Sequence, residues 1–575
     1  MRHKLLCSVA ATAVLVASGA AHSADLGVTV KAPPTLWRWT GGYIGGYFGG
    51  GYGRTSFTDP FGPSIYGDVV DTPVFVAGGQ IGYNWQRERW VFGLELDGSG
   101  AISEGTNTCL AASGIIVSAN CKAGPDVFAT GTGRLGYAFG PQGHTLVYLK
   151  GGVAWQHNRG DVVNNREFFG PQNATHFDGS RLGGTIGVGV EQALTPAWSV
   201  KLEYDYLRFG GPSVATPPTT QYPSLVVPAN ITSLNSSYHI GKVGLNYHFG
   251  AGPGTPEWSD PPLYATSPTV SVPPIALAHE WSVESGTRAW LSRGRFQWDH
   301  PSGADPSSLV SRLTYHKLDG ISGELFERIE SPWGIFLKGN IGFGRFGNGS
   351  MNDEDWAAVV SDEGVPMAYY LTGSRGANGR FTYYTADAGY DFLRGSTYKA
   401  GVFVGWTYYG QKSDSIGCIQ LALPYYPCHG GSENDKRTVD KRTVGSEDAN
   451  WNALRIGFTA ETMLLDRWRL SAEVAYLPWT DFQGRDNHLY RENTTFVDQR
   501  GSGGGGVQLE GVLSYFVTDN FSVGVGARYW AMWTSRGSED FASGRNGVGT
   551  VHLANDAKYS MERWGTFLQA SYKFG

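Results

Sequence analysis

Several stretches of this chain alternate, with apolar residues on one side and mostly small, polar or charged residues on the other. Between Lys399 and Tyr408 one side reads Ala400, Val402, Val404, Trp406 and Tyr408, and the other reads Lys399, Gly401, Phe403, Gly405 and Thr407. Residues 201–206 set Leu202, Tyr204 and Tyr206 against Lys201, Glu203 and Asp205. A period of two is that of a β-strand, whose side chains point to opposite faces of a sheet. A soluble sandwich would alternate too. Here the polar faces carry charges that are costly in a packed core, and the apolar faces end in Trp and Tyr, as at the interfaces of a membrane-spanning barrel. Charged residues make up only 17% of the chain, against about 25% in soluble domains. The reading is all-β, with antiparallel transmembrane barrels, and a net charge of −6 gives no footing for nucleic acid as a partner.

The order of segments predicts two such barrels in tandem. Arg2, His3 and Lys4, the apolar run Leu5 to Ala20, and small Ala21 and Ser23 read as a secretion signal over residues 1–23. Residues 243–250 (VGLNYHFG) and 568–575 (LQASYKFG) repeat one ending, an alternating strand closing on an aromatic. That ending resembles the C-terminal signal of outer-membrane barrels. Between the two copies, residues 251–277 hold Pro253, Pro256, Pro261, Pro262, Pro268, Pro273 and Pro274, a density that favours extended periplasmic linker over any ladder. About eight strand-like segments precede the linker, within 24–250, and about ten follow it, within 278–575. Even counts let each barrel start and finish in the periplasm, with short turns such as Arg394-Gly395-Ser396 on that side and long loops outside.

The cysteines fall in local pairs. Cys7 leaves with the signal, and Cys109/Cys121 and Cys418/Cys428 each flank a polar or Gly/Pro-rich stretch. An oxidising compartment would let each pair close a loop; metal ligation is the other reading, without clustered His or further Cys to support it.

In the first unit, Trp39-Thr40-Gly41-Gly42-Tyr43-Ile44-Gly45-Gly46, Gln80-Ile81-Gly82-Tyr83-Asn84-Trp85 and Gly133-Arg134-Leu135-Gly136-Tyr137 are similar to segments of the small, porin-like outer-membrane antigens of alphaproteobacteria. The resemblance implies an eight-stranded barrel. A barrel of that size is filled by its own side chains, which argues against a conducting pore. His157, His176 and His239 are scattered and suggest no site.

In the second unit, Gly349-Ser350-Met351-Asn352-Asp353-Glu354-Asp355-Trp356 and Gly484-Arg485-Asp486-Asn487-His488-Leu489-Tyr490 carry the chemistry. The pattern resembles the omptins, ten-stranded outer-membrane endopeptidases with an Asp-x-Asp on one external loop and an Asp-x-His on another. The resemblance implies that Asp353, Asp355, Asp486 and His488 are catalytic, with no metal and no bound cofactor. Counted along the chain, the first pair follows strand three and the second strand seven, which lie across a ten-stranded barrel, and residues two apart on a strand point the same way. A His oriented by a carboxylate can take a proton from water, and a close carboxylate pair resists full ionisation and can share a proton. The family implies His488 as base oriented by Asp486, and Asp353 and Asp355 as holders of the attacking water. It also implies peptide or protein substrates at the cell surface and lipopolysaccharide as a required lipid partner.

The second unit departs from the family at its specificity pocket. Gly484 stands where omptins that prefer basic side chains hold an acid two positions before Asp486, and the alignment puts Thr287, followed by Arg288, at the other acidic position. Asp481, Glu284 and Glu354 are the nearby acids that could substitute. Lys399 and Arg455 match no lipid-binding position securely. Lys436-Arg437-Thr438-Val439, repeated as Lys441-Arg442-Thr443-Val444, reads as a solvated loop, with a polyanion contact or self-cleavage point as the sharper alternatives. Against the enzyme reading stand a non-catalytic structural or adhesive double barrel, calcium binding by Asn352 to Asp355, and, least favoured, a porin.

Overall fold

A computed structural model describes residues 37–249 and 281–574, apart from 63–66, 111–118, 141, 165–172, 222–224, 302–308, 361–365, 423–441, 490–494, 543–548 and 555. The signal, the Pro-rich linker, Tyr490, Cys428 and most of the repeated Lys-Arg-Thr-Val segment lie outside the described residues.

Two antiparallel sheets each close on themselves. In the first, eight long strands run in chain order from Gly41–Phe57 to Ile231–Phe249, and the last pairs with the first from Gly42↔Phe249 to Phe57↔Leu234. In the second, ten strand positions run from Ser282–Pro301 to Lys558–Phe574, again closed by first and last, from Val283↔Phe574 to Asp299↔Lys558. The eighth position is interrupted where Gly503 and Gly504 take left-handed φ values of 71° and 75°, which separates Phe496–Gly503 from Gly505–Phe516. Between the two closed sheets the expected strand count and order hold. The strands are longer than the alternation suggested at the ends remote from the chain termini.

Outward-facing side chains form an apolar band. Leu94, Leu96, Leu149 and Val153 are exposed on the first barrel, and Leu291, Leu325, Phe343, Val404 and Leu568 on the second. Exposed Trp406 and Trp479 mark its upper edge.

The inside of the first barrel is charged and full. Lys150 Nζ lies 2.8 Å from Glu203, 3.3 Å from Glu95, 3.5 Å from Asp205 and 3.7 Å from Asp97, all buried. Arg134 sits between Glu95 and Glu191, and the Tyr43 and Tyr47 hydroxyls donate to Glu95 and Asp97 at 2.9 Å. A lumen so occupied agrees with the expectation from strand number and argues against a pore.

Lys150→Met would leave four carboxylates around an apolar tip. Removing one partner of a buried ionic network costs about 3–5 kcal/mol. Chemical denaturation of the full chain in lipid should show a loss of that order, and unchanged stability would contradict the network's role.

Candidate active site

Low in the second barrel, even-numbered residues of the third strand, Ile335–Val360, face the lumen: Lys338 pairs there with Glu473, and Phe336 and Phe346 are buried. Continued unbroken, that parity would turn Asn352 and Glu354 inward. The ladder with the second strand, Leu309–Glu330, shifts register on both sides of the Asp319↔Asn348 pair, and Lys317 adopts φ 55°. A bulge moves every later side chain to the other face. Above it Met351, Asp353 and Asp355 line a cleft together with Leu313 and Tyr315.

The seventh strand, Trp468–His488, does the same. Arg469 and Glu473 point into the lower lumen, bonded to Glu284 and Arg455. The register against the sixth strand, Thr443–Leu465, shifts between Leu454↔Trp479 and Ile456↔Tyr476, at Pro478, which has no N–H to give the ladder. Beyond the shift, Thr480, Phe482, Gly484, Asp486 and His488 share the inner face.

These residues lie past the Trp406 and Trp479 edge, above the apolar band. Asp353, Asp355, Asp486 and His488 all line one cavity of about 440 Å³. His488 Nε2 lies 2.6 Å from Asp486 Oδ2, and Asp486 is 5% exposed. Asn352 and Glu354 belong to the opposite face, so the run from Asn352 to Asp355 does not converge as a calcium cage would. Among the described residues no group of three or more His, Cys, Asp or Glu could hold a metal ion. Cys109 and Cys121 form a disulfide in the first barrel.

Two neighbours of the cleft were not legible as site residues. Tyr315 Oη lies 2.9 Å from Ser415 Oγ, and burial together with the Asp486 and Glu447 carboxylates pushes its hydroxyl well up, so it stays protonated. Glu447 pairs across the ladder with Asp486 and is fully buried. Burial, and then the Asp486 charge, hold its carboxyl well above the usual range. The only signal for Glu447 was its place in the alternation with Ala449, Trp451 and Ala453.

The specificity positions need correcting. Thr287 faces outward and pairs with Leu325 and Ala570 low on the first strand, Ser282–Pro301. The first-strand residues at the cleft are Trp298 and His300, whose Nε1 and Nδ1 both meet buried Glu539. Glu284 is at the foot of the barrel, 2.6 Å from Arg469, and neither it, Asp481 nor Glu354 lines the cleft. Gly484 does face inward, but a Cβ there would sit 2.3 Å from Gln499 Oε1 and 2.7 Å from the Phe482 ring, so an acidic side chain would have to displace both. Lys399 and Arg455 point into the lumen, against Glu330 and Glu461 and against Asp387 and Glu473 respectively.

The family described as outer membrane protein beta-barrel domain matches residues 9–249. The 31 kDa outer-membrane immunogenic protein of Brucella melitensis is 32% identical over 265 residues, which cover 43% of this chain and 100% of that protein; its Brucella suis counterpart matches to the same extent. Among solved structures, the outer membrane protease OmpT from Escherichia coli aligns at 15% identity over 51% of this chain and 97% of its own, with a TM-score of 0.40. That likeness says nothing about chemistry.

Glu447 generates a pH test. Between the ordinary carboxylate range and its raised pKa, the folded chain holds a proton that the unfolded chain has released, so stability falls as pH rises through that window. Glu447→Gln removes this dependence. Its melting temperature should match the unmodified protein near pH 4 and exceed it by a margin that grows as the pH rises toward 9. An offset independent of pH would contradict the assignment.

Proposed function

The chain belongs, through residues 9–249, to the outer membrane β-barrel domain family, and from that location we propose that its second barrel is an endopeptidase working at the cell surface. The observation that carries this reading is the convergence of Asp353 and Asp355 on one wall of a cleft with Asp486 and His488 on another, at the end of the barrel remote from the chain termini.

The chemistry follows from the pairings. With Asp486 accepting from Nε2, the imidazole proton is fixed on that nitrogen and Nδ1 keeps the lone pair. His488 then removes a proton from a water held between the pairs, and the water attacks the scissile carbonyl. Asp353 and Asp355, close in sequence and on one face, share a proton and hydrogen-bond the developing oxyanion with it, and as the tetrahedral intermediate collapses His488 passes the proton it took from water to the leaving amine. Asp486 stabilises the imidazolium that forms.

The cleft's other walls include Trp298, Leu313, Met351, Val497 and Phe541 beside hydroxyls such as Thr372 and Ser374, but no further carboxylate among the described residues, with Gly484 packed against Phe482 and Gln499. This favours apolar side chains at the cleavage site over the basic ones that an acidic pocket would select. Lipopolysaccharide is the lipid partner we assign. On the outer wall just above the apolar band, Arg345 pairs directly with Arg380, and Arg380 with Lys412. Like charges opposite one another are unfavourable in a ladder; Lys412 has Asp448 at 3.6 Å, and a lipid phosphate would serve the same purpose for the Arg345–Arg380 pair.

The test is cleavage of a peptide library by the full chain refolded with lipopolysaccharide, beside His488→Ala and Asp353→Asn. The expected result is cleavage next to apolar residues, reduced about 10²–10⁴-fold in His488→Ala, the usual worth of a general base. A folded, lipid-bound protein that cleaves nothing would leave the structural or adhesive double barrel as the reading.

A further inference from the structure

Arg312 lies on the outer face of the second barrel, above the apolar band, where an arginine would ordinarily meet water. It is 0% exposed. Its guanidinium donates to Asp299 Oδ1 at 2.7 Å and Oδ2 at 2.9 Å, both within the second barrel. The remaining donors go to the first barrel: Thr108 Oγ1 at 3.0 Å, Thr106 Oγ1 at 3.3 Å and Asn120 Oδ1 at 2.6 Å. Thr106 in turn donates to Asp299 Oδ2 at 3.0 Å, and Gln297 Nε2 reaches Thr106 Oγ1 at 3.2 Å. A buried guanidinium tolerates dehydration only with its donors engaged, and here they are. The residues that engage it sit on a hairpin, Thr106–Cys109 against Ala119–Lys122, tied by the Cys109–Cys121 disulfide.

Contacts continue down the molecule. Phe75 stacks on Tyr476 with ring centroids 4.8 Å apart. Gly50 lies so close to the second barrel that a Cβ would come within 2.7 Å of Val507. At the opposite rim Thr145 Oγ1 is 3.1 Å from the Leu464 carbonyl oxygen. The hairpin end of one barrel thus meets the cleft end of the other, and the turns near the chain termini meet each other.

We propose that the two barrels stand side by side in the same orientation, and that the disulfide-closed hairpin of the first braces the cleft wall of the second through Arg312 and Asp299. Asp299 and Arg312 are direct cross-strand partners. Asp299 alternates with the cleft residues Trp298 and His300, and Arg312 with Ser311 and Leu313. Holding the outer pair fixes the backbone that presents the inner ones. The docking stands on these contacts alone; that the braced wall serves catalysis rests on the endopeptidase reading.

Two measurements on the full chain separate these claims. Phe75→Cys/Tyr476→Cys, and independently Thr145→Cys/Leu464→Cys, should each give a disulfide-linked peptide by mass spectrometry of outer membranes; absence of both links overturns the docking. Thr108→Ala/Asn120→Ala should then speed amide hydrogen exchange in residues 296–301 and 309–313 at least tenfold, while residues 521–533 stay unchanged. Exchange that does not move overturns the brace. Faster exchange together with a matching loss of kcat/KM supports the whole proposal. Faster exchange in a protein that cleaves nothing supports the brace and overturns the endopeptidase reading instead.

Discussion

In hydrocarbon no water is present to satisfy backbone N–H and C=O groups, so a sheet that crosses a membrane must have no edge. Everything else in this chain follows from meeting that condition twice. The strand ending at Phe249 returns to the one that begins at Gly41, and the strand ending at Phe574 returns to the one that begins at Ser282. Each closure fixes strand number, and strand number fixes what the lumen can be. With eight strands the first barrel has room only for its own Lys150, Arg134 and their carboxylates. With ten, the second has room for an aromatic floor of Trp290, Phe381, Tyr383 and Trp530 and a cleft above it.

Closure alone does not aim the site. The inward parity of the third and seventh strands, set low in the barrel by charged pairs such as Lys338–Glu473 and Arg469–Glu284, would have carried Asp353, Asp355, Asp486 and His488 to the outer face. One bulge beside Asn348 and another at Pro478 reverse it. A bulge costs ladder hydrogen bonds; the one beside Asn348 lies above the apolar band, where water can meet the groups it disrupts, and the one at Pro478 lies at the band's edge, where proline has no N–H to leave unpaired.

This explains what the amino-acid sequence did and did not reveal. Alternation and the two aromatic endings were enough for both barrels, because period two and the final aromatic are local properties. The pairs at 353/355 and 486/488 were legible by spacing, since residues two apart share a face whichever face it is. Which face was not legible, because it depends on register shifts between strands. Glu447 and Tyr315 stayed hidden for a related reason: they approach Asp486 across ladders from other strands. Thr287 failed as a pocket residue because an alignment by order missed how far the first strand rises above the membrane, to Trp298 and His300.

The central claim is that water, not a side chain, attacks the peptide bond in the cleft between the two pairs. It is tested most directly by cleaving a peptide in ¹⁸O-enriched water with hydroxylamine present. The expected result is one labelled oxygen in each new carboxylate and no hydroxamate product. A hydroxamate would reveal an acyl-enzyme and contradict the mechanism.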